Sequence, residues 1–173
     1  MKTRAVIVLT VPRSGSSLLA GCLHRMGVNM GEGYFQPTDK HNEKGYYEDM
    51  RWRRVTNDLT GHRYDINWVN GLPQRHKNQF MSAIARSKKS RVWGVKDTRM
   101  VFVFHLVRSM IEKSVDDELR IIVARRDEDA VIDSLTRHSQ EAYGGRYELS
   151  REQAEDIIAE WQEALERQLT RLE

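Results

Sequence analysis

The chain has 173 residues with 28 Lys+Arg against 25 Asp+Glu, a formal net charge of +3, and one cysteine. That length points to a single domain over 1–173, since domains run to about 100–200 residues, and one thiol excludes an internal disulfide framework and disfavours a Cys/His zinc site. The small, evenly mixed positive excess suits an anionic ligand and speaks against a nucleic-acid surface; no apolar run nears the ~18 residues of a membrane span or forms a secretory leader, so a soluble cytoplasmic protein is expected.

Ala5-Val6-Ile7-Val8-Leu9 is a continuous apolar run rich in β-branched residues, the pattern of a fully buried parallel strand. It runs into a turn cluster, Pro12–Ser17. Leu18, Leu19, Cys22, Leu23 and Met26 then recur at helical spacing, which predicts a helix with Cys22 as a small buried hydrophobe and Gly27 as its stop. Residues 28–47 read as a polar loop, and long irregular stretches in compact domains tend to be functional or mobile. Residues 48–60 read as a helix with Trp52, Val55 and Leu59 on one face. Residues 61–72 read as irregular, and Pro73 suits the first position of a helix over 73–87. Arg91–Lys96 reads as a second strand, followed by a helix over 100–113. Leu119–Ala124 reads as a third strand. Asp127 or Asp129 caps the next helix, to about 142, and Ser150 with Gln153 forms a capping box for a helix to the C-terminus. Strands alternating with helices predict a three-layer α/β/α fold with a parallel sheet, whose ligands bind beyond the carboxyl ends of the strands.

Three loops follow those strand ends. In Thr10-Val11-Pro12-Arg13-Ser14-Gly15-Ser16-Ser17, a small-residue turn lets backbone N–H groups and a helix start face one anion. Arg13 adds a forked donor, and Ser14, Ser16 and Ser17 add hydroxyls. The plainer reading is a helix N-terminus with serine caps. The pattern is not Walker A, because Ser16 stands where that motif has Lys and Thr10 where it has its first Gly. In the second loop, Arg126 at a strand tip and Ser134 on the next helix can hold a second phosphate; the alternative is an Arg pair salt-bridged to Asp127 and Asp129. In the third, Lys96 can neutralise a transferred group and Asp97 or Thr98 can face an acceptor; the alternative is a surface ion pair of little consequence.

Together these loops resemble a known family. Pro12-Arg13-Ser14-Gly15-Ser16-Ser17-Leu18-Leu19 resembles the 5′-phosphosulfate loop of sulfotransferases that use 3′-phosphoadenosine 5′-phosphosulfate (PAPS). Arg126 and Ser134 match the family's 3′-phosphate pair in spacing, and Lys96 matches its middle-strand Lys. Asn42-Glu43-Lys44-Gly45-Tyr46-Tyr47-Glu48 and Gly94–Arg99 look like segments of a bacterial and phage-type group. The resemblance covers about residues 4–138.

The resemblance implies a P-loop-like fold and transfer of a sulfuryl group from PAPS to an acceptor hydroxyl on a small molecule or carbohydrate. It implies that Arg13, Ser14, Gly15, Ser16 and Ser17 grip the 5′-phosphosulfate, that Arg126 and Ser134 hold the 3′-phosphate, and that Lys96 stabilises the leaving nucleotide, without a metal. Cytosolic members place a catalytic His where this chain has Thr98. Candidate bases, in order, are Glu48, Asp97, Glu43 and His41. The late glycine-rich segment of many members has no counterpart before Glu173, which implies a more openly held adenosine or a degenerate site. The rival readings are a P-loop nucleotide or metabolite kinase and a non-catalytic nucleotide-binding module. Trp93 and Trp161 read as core, whereas Trp52 and Trp68 are candidates to touch ligand. Arg51, Arg53 and Arg54 can attract an anionic acceptor, but the plainer reading is a solvated face.

Overall fold

A computed structural model describes residues 2–31, 45–61, 66–142 and 148–172. The apolar run near the N-terminus becomes strand β1, Arg4–Thr10, flanked by β2, Val92–Lys96, and β3, Glu118–Ala124. The strand order is β2-β1-β3 and both pairings are parallel. A central parallel strand has both faces covered, which is why β1 needs no polar alternation. Ala5, Ile7 and Leu9 enter one cluster of buried residues and Val6 enters another.

Six helices are described: α1 Ser16–Arg25, α2 Met50–Thr60, α3 Gln74–Ser87, α4 Met100–Glu112, α5 Glu128–Ala142 and α6 Arg151–Thr170. The architecture is therefore mixed α/β. The larger cluster joins β1 to α2, α3, α4, α5 and α6 through Trp52, Phe80, Phe104, Leu135 and Trp161, among others. α4 buries Met100 through Phe104, then Val107 and Ile111, so it is apolar on most of its circumference and sits inside this cluster. The smaller cluster places Ala20 of α1, Val28 and Met30 with Val6. The capping box of α6 is formed: Gln153 N–H donates to Ser150 Oγ at 3.1 Å and Ser150 N–H to Gln153 Oε1 at 2.9 Å. No described helix is long and apolar enough to cross a membrane.

Register sets the positions of the loops. Val8 lies opposite Lys96 and Thr10 opposite Ala124. The segments that leave the three strand ends therefore emerge side by side.

Three local expectations are corrected. Cys22 is exposed, and with it Leu18 and Met26, at 68% and 80% of their full accessibility. The buried residues of α1 are Ser16 and Ala20. Small side chains let this helix lie close to its neighbours: a Cβ added at Gly21 would come within 3.0 Å of the Tyr47 ring. Trp52 is core, packed on Phe80 with ring centroids 5.6 Å apart and on Trp93 at 6.3 Å. Pro73 is the N-cap of α3, and Gln74 is its first helical residue.

Candidate functional site

The loop between β1 and α1 has the backbone of an anion cradle. Arg13 and Gly15 both hold positive φ, +64° and +83°. For Gly15 that conformation is nearly free; for Arg13 it costs energy and is a local strain of the kind found at ligand clamps. Gly15 is the N-cap of α1, brings no capping side chain, and is followed by no acidic residue in the first turn. Among the described residues no side chain caps the first N–H groups of the helix, which lie at the positive end of the helix dipole. The Thr10 hydroxyl donates to the Ala124 carbonyl at 2.9 Å, which leaves Ser14 Oγ, 2.5 Å away, as donor to Thr10. The Ser14 hydroxyl is therefore committed to holding the loop, and Ser14 has its backbone N–H to offer an anion.

The same loop meets the end of β3 and the side of α5. Arg13 Nε donates to Ser134 Oγ at 3.1 Å, and Arg126 Nη1 donates to the Arg13 carbonyl at 3.1 Å. Two loops read separately in the sequence thus form one cluster. Three carboxylates near this cluster, Asp127, Asp129 and Asp133, are engaged elsewhere. Asp127 accepts from Ala130 N–H at the start of α5. Asp129 and Asp133 both bind Arg151 of α6, and Arg125 pairs with Glu166. Among the described residues neither Arg13 nor Arg126 has a carboxylate partner. The expected alternative, an Arg pair neutralised by Asp127 and Asp129, is not what forms.

Lys96 closes the other side of the loop. Its ammonium is almost wholly buried and donates to Glu48 Oε1 at 2.9 Å, to Ser17 Oγ at 3.3 Å and to the Tyr46 carbonyl at 3.3 Å. Glu48, also buried, accepts from Arg53 Nη1 at 2.9 Å through its second oxygen. A buried charge persists only if paired and hydrogen-bonded, and both are. The pair is not a surface ion pair, and Arg53 is not part of a solvated face. Arg51 likewise pairs with Asp49, the N-cap of α2.

Asp97 is placed differently. It is buried, and its carboxylate accepts from Thr56 Oγ1 at 2.5 Å, from Arg99 N–H at 3.0 Å and from Arg99 Nη1 at 3.2 Å. Those contacts tie α2 to the turn that starts α4 and occupy both oxygens. Of the two described candidate bases, Glu48 is the one that touches Lys96. Glu43 and His41 lie outside the described residues.

Thr10, Tyr46 and Arg53 belong to this site through contacts that the sequence does not spell out: Thr10 opens the first loop motif and bonds across to the Ala124 carbonyl, Tyr46 acts through its own carbonyl, and Arg53 pairs with Glu48 five residues before it. Trp68 stacks on His105 with centroids 4.6 Å apart. With Asn70, Arg167, Thr170 and Arg171 it lines a cavity of about 590 Å³, to which none of the residues above contributes. Burial, then the Arg171 charge, holds the His105 ring below its ordinary pKa. No family model, curated protein or solved structure matches this chain.

Proposed function

We propose that the chain is a sulfotransferase of P-loop-like fold that moves a sulfuryl group from PAPS to an acceptor hydroxyl. The observation that carries the reading is the convergence at Arg13, whose guanidinium reaches Ser134 and whose carbonyl receives Arg126, both at 3.1 Å. The sequence resemblance assigns these residues to two phosphates of one nucleotide. Support also comes from the donor chemistry of the cluster: guanidiniums that have no carboxylate partner among the described residues, beside helix N–H groups that no described side chain caps, suit a ligand with several negative charges.

In this reading the Arg13–Ser17 loop holds the 5′-phosphosulfate through backbone N–H groups, the Arg13 fork and the Ser16 and Ser17 hydroxyls. Arg126 and Ser134 hold the 3′-phosphate. An acceptor oxygen attacks sulfur in line; the new S–O bond forms as the bond from sulfur to the bridging phosphate oxygen breaks, and that oxygen keeps the electron pair. Lys96, at the Ser17 hydroxyl, stabilises this negative charge. Glu48 takes the proton from the acceptor. Its contact with Lys96 links the two tasks, because a Lys96 drawn toward the nucleotide frees a Glu48 oxygen on the acceptor side. Asp97 acts as a positioning residue through Thr56 and Arg99.

The test is calorimetric titration with 3′-phosphoadenosine 5′-phosphate, adenosine 5′-phosphate and magnesium-ATP, on the wild type and Arg126→Ala. Tight binding of the bisphosphate, weakened without its 3′-phosphate and by the substitution, is expected. Binding of magnesium-ATP in its place would overturn the proposal in favour of a kinase.

A further inference from the structure

α5 carries one more cation on the ridge that bears Ser134. Ala130, Ser134 and Arg137 follow one another at helical spacings of four and three residues, so they form one ridge of α5. Ser134 is fixed on the site side of that ridge by its bond from Arg13. Side chains on a helix lean toward its N-terminus, so an arginine one turn after Ser134 has the reach to fold back over it. Ala130, one turn before, is too small to fill the space above the ridge. Arg137 is exposed, and among the described residues it has no ion pair or hydrogen-bond partner. Asp133, the neighbour of Arg137 one turn earlier, and Asp129 are both engaged by Arg151 of α6.

We infer that Arg137 is a third cation for the 3′-phosphate, a specificity residue that joins Arg126 and Ser134 and closes the side of the site turned away from Arg13. This rests on the sulfonucleotide reading above. A dianionic phosphate has acceptor sites enough for Ser134 and two forked guanidiniums, and each charge-assisted bond from an arginine strengthens binding substantially. The chemical consequence is discrimination: Arg137 contributes to ligands with a 3′-phosphate and nothing to those without one.

The experiment titrates 3′-phosphoadenosine 5′-phosphate and adenosine 5′-phosphate into the wild type, Arg137→Ala and Arg126→Ala, with thermal melts to show that each variant is folded. Arg137→Ala is expected to weaken the bisphosphate about tenfold, the scale of one charge-assisted hydrogen bond, and to leave the monophosphate unchanged. If Arg126→Ala weakens the bisphosphate and Arg137→Ala does not, or if Arg137→Ala weakens both nucleotides equally, the assignment of Arg137 is overturned and the sulfonucleotide site stands. If the wild type does not prefer the bisphosphate, the site reading fails and takes this inference with it.

Discussion

Replacing Lys96 by methionine removes the charge while keeping an unbranched, apolar side chain of similar length. The Lys96 and Glu48 side chains are only 3% and 7% exposed. Removing one partner of a buried ion pair costs about 3–5 kcal/mol, because the other is left as an uncompensated charge. Glu48 keeps Arg53 at 2.9 Å, and that side chain is 22% exposed. The retained contact lowers the expected cost of Lys96→Met to about 2–3 kcal/mol. For a chain of this size that corresponds to a fall of about 4–12 °C in Tm, at about 2–4 °C per kcal/mol. The double variant Lys96→Met/Glu48→Gln should cost no more than Lys96→Met alone, since neutralising Glu48 removes the charge that was stranded. Urea unfolding followed by circular dichroism measures all four proteins in one cycle. A Lys96→Met cost below about 0.5 kcal/mol, the range of an ordinary surface change, would refute the reasoning. So would additivity of the two substitutions, which would mean that Lys96 and Glu48 are not energetically coupled.

Two further outcomes come from backbone and charge. Gly15→Ala and Gly31→Ala both force a side chain onto a positive φ, +83° and +116°, but a Cβ at Gly15 meets nothing within 4 Å whereas one at Gly31 comes within 2.6 Å of Asp49; Gly15→Ala should cost about 1–2 kcal/mol and Gly31→Ala clearly more, because it displaces the N-cap of α2, and equal melting temperatures for the two would count against the packing described. His105 has its pKa lowered from 6.5, by burial first and by Arg171 second. The native state therefore favours the neutral ring, and the stability this gives is full above pH 6.5 and is lost as the pH falls from there through the folded value. Arg171→Gln should raise the His105 midpoint in an NMR titration, and an unmoved midpoint would remove Arg171 as a cause.

The elements were legible because their signals are local. The unbroken run Ala5–Leu9 marks a central strand, and Ser150 with Gln153 marks the start of α6. The orientation of α1 was not, because periodicity locates an apolar stripe and not what covers it. In α1 the small residues Ser16 and Ala20 turn inward, and Leu18 and Met26 are left outside. Trp52 was misjudged for a related reason: its partners Phe80 and Trp93 come from distant segments. The residue types of the site could be read from its three loops, but their contacts could not. Arg13 and Ser134 lie 121 positions apart, and Lys96 and Glu48 lie 48 apart. Only the parallel register, with Thr10 opposite Ala124 and Val8 opposite Lys96, brings them together.

That register also fixes an order of assembly. The middle strand of the sheet is made first, yet both its neighbours come late. The Thr10 hydroxyl bonds to a carbonyl 114 residues further on. At synthesis rates of about 5–20 residues per second, β1 waits roughly 6–23 s for its second edge. Through that interval Ala5–Leu9 is an apolar, strand-forming segment with at least one unpaired edge, the kind that pairs with other chains. Arg4 at one end and Arg13 beyond the other flank this segment with charge, the placement that discourages such pairing. A variant that neutralises Arg13 should therefore lose soluble yield on expression as well as the ligand affinity proposed above.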